Sequence, residues 1–468
     1  MNHMLHWPGI SGPLVALVAL FLALAAACSS GDNNNFSAEC PIGLVEKAEQ
    51  PVEVTFWHAM TAANRDTLEK MVGEFNASQD KVRVQAVFQG SYDENRTKYF
   101  TALRGGDLPD IIQVEDTGAQ RMIDSKSVVR AQDCIDAEQY DLSDHLDRVV
   151  AYYSIGGEMW PYPFNVSNPV LYYNKTAFER AGLDPEKPPR TLEEIRTYSQ
   201  KLVDSGVVRR GIAMELGAWF FEQWLAKAGQ PFVDNENGRA GRATSVLFDN
   251  EQGREIFRWL DSMVDDGLAV SVGRNPSGAD ALLAIGGGDA AMTIATAAAM
   301  RSVFGVLESG QFPDVSVGVG RMPGLAAQDA GGVEVGGGSL FISNRSPDVE
   351  QEGARIFAKW LNEPAQQAEW HVGSGYLPIR RSAVELAPVQ QLWTDLPHFR
   401  IAYDQLLAGQ TNVASAGSVL GAYDEVREAV VTAMEQMLLQ GKDPDAALAD
   451  AAKEANAALK NYNSRIGE

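Results

Sequence analysis

The chain has 468 residues, 45% of them hydrophobic and 22% charged, an ordinary globular balance with apolar material for about two or three domains. Its 62 acidic residues outnumber 39 basic ones, for a formal net charge of -23. That excess excludes a protein whose main task is to lay Lys and Arg along a nucleic-acid backbone.

The first feature along the chain is an unbroken apolar run from Leu14 to Ala27. It is shorter than the roughly 20 residues a membrane-spanning helix needs and has the length of the apolar region of a secretory signal. Ala26-Ala27-Cys28 at its end resembles a bacterial lipobox, although Ala25 stands where Leu is usual and no Lys or Arg precedes the run. The expectation is a signal peptide over residues 1–27, a lipidated Cys28, and a polar, Asn-rich tether over 28–51. A cleaved secretory signal with an incidental Cys28 is the alternative, and both export the body. With Cys28 used by lipid, Cys40 and Cys134 remain. An even remainder in an oxidising compartment suggests a disulfide, two unpaired buried thiols being the other reading.

Strand periodicity begins at Val52, where Val52, Val54 and Phe56 alternate with Glu53 and Thr55. Leu68, Met71, Val72 and Phe75 recur at helical spacing, and Val82 to Phe88 alternates again. Ser91 and Glu94 form a capping box for another helix, and Leu108 to Val114 reads as a buried strand. This alternation predicts right-handed crossovers and a mostly parallel sheet. At Tyr162–Lys175 a polar run, Asn165 to Asn168, lies between Pro163 and Pro169 and leads into an apolar strand at Leu171–Tyr173. The prolines fix extended backbone, so the chain is expected to cross here between two lobes and present Ser167 to a cleft. Thr191 with Glu194 caps the next helix, strands are predicted near 287–293 and 335–342, and Val426, Val430, Met434, Met437 and Leu438 form the core stripe of a late helix.

Catalytic chemistry finds little support. His3 and His6 lie in the leader, and His58, His145, His371 and His398 form no His-x-x-x-His pair. There is no nucleophile elbow or Walker loop; Gly318–Gly324 fails as a dinucleotide fingerprint at Pro323, and Asp234–Gly238 lacks the ligand spacing of a calcium loop. No catalytic residue, metal ligand or cofactor is predicted.

Several segments together resemble one family. Phe56–Met60, Gly90–Asn95, Pro163–Lys175, Ala181–Thr191, Gly336–Leu340 and Glu369–Ile379 are similar, in order and spacing, to the glycerol-3-phosphate-binding proteins of Ugp-type ABC importers, within the extracellular solute-binding class. The resemblance implies an α/β, two-lobed periplasmic-binding-protein fold of type II, maltose-binding-protein-like, with a hinge and an interlobe ligand cleft. It places lobe 1 over 52–161 plus 328–374 and lobe 2 over 162–327 plus 375–468. The positions matching the family's ligand contacts are Tyr92, Asp116, Ser167, Trp219, Thr296, Gly337, Tyr376 and Arg427, with Leu216 where a tryptophan stands in the enterobacterial type. Asp116 and Thr296 replace the usual Glu and Ser. On this reading Tyr92 and Asp116 belong to the first lobe, and Ser167, Trp219 and Arg427 to the second. Arg427 would pair bidentately with a phosphate, and Trp219 would offer a face to a choline group. Loss of the ring at Leu216 favours glycerophosphodiesters, glycerophosphocholine first, over glycerol 3-phosphate. The implied partners are the small-molecule ligand and ABC permease subunits, with the N-terminal lipid holding a monomer on the outer face of the cytoplasmic membrane. The rival readings are an oligosaccharide-binding protein of the same class and an extracellular glycerophosphodiesterase.

Overall fold

The computed structural model describes residues 40–274 and 279–467. The expected signal peptide, Cys28 and residues 28–39 of the expected tether lie outside them. Residues 40–51, also expected to be tether, are instead bound to the body. Cys40 is disulfide-bonded to Cys134, and the Glu352 carboxylate accepts from the main-chain N–H groups of Gly43, Leu44 and Val45 at 2.7, 2.6 and 2.9 Å. A buried carboxylate that gathers three N–H donors satisfies itself and pins the segment.

The first lobe is built from β1 (Val52–His58), α1 (Ala62–Ser78), β2 (Val82–Phe88), α2 (Tyr92–Ala102), β3 (Ile111–Glu115), the short α3 (Ala119–Asp124), α4 (Asp147–Tyr153) and β4 (Tyr162–Ser167). Strand β1 alternates buried and solvent-facing residues as its sequence requires. Helix α1 buries Leu68, Met71, Val72 and Phe75, the stripe written in the sequence. The second lobe follows with β5 (Pro169–Asn174), β6 (Arg210–Met214), α5 (Ala218–Lys227), β7 (Ala269–Ser271), β8 (Ala290–Thr296) and β9 (Val317–Arg321). The chain then returns through β10 (Gly336–Ile342), α6 (Asp348–Leu361) and α7 (Pro364–Ser374), and closes with α8 (Tyr423–Gln440) and α9 (Pro444–Ile466).

Among the described residues each lobe has a five-stranded sheet, ordered β2-β1-β3-β10-β4 in the first and β9-β5-β8-β6-β7 in the second. Neither is mostly parallel. Strand β10 runs antiparallel to both β3 and β4, and β5 antiparallel to both β8 and β9. Only β2-β1-β3 and β8-β6-β7 keep the parallel βαβ pairing that the local sequence suggested.

The lobe crossings also differ from expectation. The polar run is itself a strand: β4 is buried along its whole length and completes the first sheet, so Ser167 belongs to the first lobe and the crossing falls at Asn168. The run stays polar because its amides bond across elements. Gln113 donates to Asn165 at 2.8 Å, and Asn168 bonds the Ala402 carbonyl at 2.9 Å and accepts from Gln405 at 3.0 Å. The return to the first sheet comes at Gly336, not 328. The first core gathers Phe56, Phe75 and Phe357, with Phe75 and Phe357 edge-to-face at 4.9 Å. Each such ring contributes about 1.5–3 kcal/mol through burial.

Candidate functional site

The carboxyl ends of β3 and β4 and the first residues of β10 meet at one edge of the first sheet, where α/β sheets expose ligand-binding crevices. Helix α2 brings Tyr92 there. Ser91 caps the helix as predicted, accepting from Glu94 N–H while the Glu94 carboxylate accepts from Ser91 N–H. The Tyr92 hydroxyl accepts from Asn165 Nδ2 at 2.7 Å and lies 3.5 Å from the Tyr376 hydroxyl. Behind them the relay continues to Gln113, whose Oε1 accepts from Ala59 N–H at 2.9 Å. Burial pushes both phenols above their ordinary range, so they remain protonated.

Tyr376 is held from two further sides. Its ring stacks on Trp370 at 5.4 Å, and its carbonyl takes a 2.6 Å hydrogen bond from His371 Nδ1. Trp393 Nε1 donates to His371 Nε2 at 2.8 Å, which fixes the tautomer. Burial lowers this imidazole to about 4, so it is neutral at physiological pH.

Glycines 336–338 have a packing reason. A Cβ on Gly336 would lie 2.7 Å from the Trp219 ring, and one on Gly337, whose φ is +103°, would lie 1.9 Å from the Asn165 carbonyl oxygen. These glycines admit the Trp219 ring and the close approach of β4 to β10. Ser167 faces Gly336 in register.

From the second lobe come Trp219, Thr296 and Arg427. Trp219 is half-buried at the start of α5. Thr296 pairs with Pro169 beside the crossing, and its hydroxyl is occupied in accepting from Ala298 N–H at 3.2 Å. Leu216 is buried with the second-lobe core, one residue before the cleft lining begins at Gly217.

Arg427 sits one turn into α8, 18% exposed. Its Nε and Nη2 donate to the two Glu222 oxygens at 2.8 and 2.7 Å, so the bidentate pair expected for a phosphate is made to a protein carboxylate. The remaining nitrogen, Nη1, points across the cleft to Glu115 at 4.0 Å. Next to Glu115, Asp116 accepts from Thr117 N–H at 2.9 Å. Burial pushes its carboxyl up to about 7, with Arg427 opposing and Glu115 and Glu222 adding to the rise. A cavity of about 770 Å³ opens here, lined by Glu115 and Thr117 from the first lobe and by Trp219 and Arg427 from the second.

Of the expected ligand contacts, Trp219 and Arg427 line this cavity; Tyr92, Ser167, Gly337 and Tyr376 cluster at the edge of the first sheet, Asp116 is buried next to Glu115, and Leu216 and Thr296 are not in the cavity lining. Glu115 and Glu222 escaped the sequence reading. Glu222 left one visible signal, the lone acidic residue of the mostly apolar run Ala218–Leu225, where only Gln223 beside it is also polar. Among the described residues no group of three or more His, Cys, Asp and Glu side chains is arranged to hold a metal ion, and no helix is long and apolar enough to cross a membrane.

Residues 70–400 match the family of bacterial extracellular solute-binding proteins. The sn-glycerol-3-phosphate-binding periplasmic protein UgpB of Escherichia coli K12 is 30% identical over 428 residues, spanning 90% of this chain and 95% of that relative. UgpB from Mycobacterium tuberculosis, solved in complex with glycerophosphocholine, is similar with a TM-score of 0.73 and 21% identity, over 89% of this chain and 100% of that one. The GacH receptor of Streptomyces glaucescens, solved unliganded and with acarbose, gives 0.73 at 22% identity over 89% and 100%. At these identities the structural matches establish the fold, the two-lobed architecture of maltose-binding-protein-like receptors.

Proposed function

The chain belongs to the bacterial extracellular solute-binding protein family, in its UgpB-like branch, and from that premise we propose that its interlobe cleft captures glycerophosphodiesters or glycerol 3-phosphate for an ABC importer, the diesters being preferred. The observation that carries the reading is Arg427, pinned at the cleft by Glu222 with one nitrogen turned toward the opposite lobe. A phosphate oxygen there would receive a charge-assisted hydrogen bond, and the hydroxyls of Tyr92, Ser167 and Tyr376, at the edge of the first sheet, would orient the rest of the solute. Asp116 and Trp219 offer a carboxylate and an aromatic face to a cationic head group, an attraction of roughly 1–2 kcal/mol when desolvated.

Capture follows from contacts made to both lobes at once. Ligand contacts that exist only in the closed arrangement shift the population toward it, and the closed form is what a permease would recognise. On this reading the protein is a carrier without catalytic activity, exported as a monomer and held at the membrane by lipid on Cys28. The test is titration calorimetry of the purified protein with glycerophosphocholine, glycerol 3-phosphate and maltose, repeated for Arg427→Ala. Binding of the phosphorylated solutes that drops at least about tenfold in the variant supports the assignment. Preferred binding of maltose turns the reading to a carbohydrate receptor, and release of choline during the titration turns it to a phosphodiesterase.

A further inference from the structure

Glu222 stands three residues after Trp219 on α5, 1% exposed among Phe220, Phe221, Trp224 and Leu225. Besides its two hydrogen bonds from Arg427, it accepts one from the Tyr423 hydroxyl at 3.3 Å, and the Tyr423 ring lies 4.9 Å from the guanidinium carbon. The charge of Arg427 is therefore matched before any ligand arrives. Other carboxylates surround the same point. Glu115 lies 4.0 Å from Nη1 and Asp116 follows it in the chain. Glu334 is buried, fixed on both sides of its peptide by the Gln223 side chain, and its carboxylate accepts no hydrogen bond from the described residues. Its electrostatic neighbours are Glu222, Asp116, Arg427 and Arg239. Arg239 spends its donors on the main-chain carbonyls of Gly417, Ala151, Ser154 and Tyr152, and the nearby Arg148 on those of Leu406, Val333 and Ser415.

We propose that Glu222 is a specificity-determining residue: by neutralising Arg427 it limits the cleft to phosphates of a single negative charge, admitting phosphodiesters and rejecting the phosphomonoester dianion. The inference rests on the reading that the ligand's phosphate meets Arg427. A diester carries one charge at every physiological pH and finds one free guanidinium nitrogen. A monoester, whose second ionisation lies near about 6, carries almost two at neutral pH and sets the second against Glu115, Asp116 and Glu334. Exclusion by unmatched charge is a common way to build selectivity between ligands of similar shape.

The probes are glycerol 3-phosphate and its methyl phosphodiester, which differ by one methyl group and one ionisable oxygen and carry no cationic head. Calorimetry at about pH 7.5 should give the wild-type protein at least about a tenfold preference for the methyl ester. In Glu222→Gln, which keeps the shape and one acceptor, that ratio should shrink about tenfold, while Glu222→Asp should largely retain it. A ratio unchanged in Glu222→Gln overturns the inference. A second measurement needs no variant: in the wild type the ratio should fall as pH drops from about 7.5 to 5.5, where the monoester gains its proton. Asp116, Glu115 and Glu334, whose carboxyls burial raises, relieve the second charge as they gain protons and so lower the ratio in the same direction as protonation of the monoester; a flat ratio overturns the inference while leaving the receptor assignment intact. Absence of binding by either ester and by glycerophosphocholine would remove that assignment, and this inference with it.

Discussion

Asp424 at the start of α8 is the most exposed test of how the lobes hold together. Its Oδ1 lies 2.7 Å from Arg96 Nη2 on α2 and its Oδ2 2.8 Å from Arg121 Nη1 on α3, so one second-lobe carboxylate is gripped by two first-lobe guanidinium groups beside the cleft. Arg96 is only 6% exposed, and its other ionic partner, Asp93, is 77% exposed. Replacing Asp424 by Asn leaves Arg96 half-compensated. A fully exposed pair is worth about 0.2–1 kcal/mol and loss of a fully buried partner costs about 3–5. Asp424 is 36% exposed, which discounts the upper figure and places the loss near 1–2 kcal/mol. Spent on the open-closed equilibrium, that is roughly a 5- to 30-fold shift toward open lobes. Fluorescence energy transfer between labels on the two lobes, with small-angle scattering, should show wider separation in Asp424→Asn, and the wild type should approach it as salt rises from about 0.02 to 0.5 M. Equal separation in both proteins at both salt concentrations would refute the argument.

The disulfide closes a separation of 94 residues between the N-terminal segment and the first lobe, and Cys134→Ser should lower stability by about 2–5 kcal/mol. Calorimetric melting with and without reductant checks this, and coincident wild-type melts under the two conditions would contradict it. Asp116, pushed up to about 7 by burial, holds a proton in the folded state over a range where the unfolded chain has lost it. Its contribution is complete below the ordinary carboxylate range and is lost as pH rises through about 7. Asp116→Asn should therefore flatten the fall in melting temperature between about pH 4 and 7.5 by roughly 2 °C or more, and parallel pH profiles would count against the shift.

Local structure was well written in the sequence. The alternation of β1, the stripe of α1, the Ser91–Glu94 box and the Val426–Met437 face of α8 all depend on near neighbours, and each is found where its pattern lies. Strand direction was not, because β10 inserts antiparallel between β3 and β4 through partners some 170 residues or more away, and no local pattern records such a pairing. The polar run at Asn165–Asn168 misled for a related reason. Its asparagines read as part of a lobe crossing until their partners, Gln113 and Tyr92 for Asn165 and Gln405 for Asn168, are seen. In the same way Arg427 read as free for a phosphate, since Glu222, 205 residues earlier, is joined to it only by the fold.

The central claim is that a phosphate is gripped between the lobes at Arg427. A crystal structure of the protein with glycerophosphocholine tests it most directly. The account predicts a phosphate oxygen about 2.7–3.0 Å from Arg427 Nη1 with the Glu222 pair intact. A phosphate bound elsewhere, with that nitrogen still facing Glu115 alone, would contradict it.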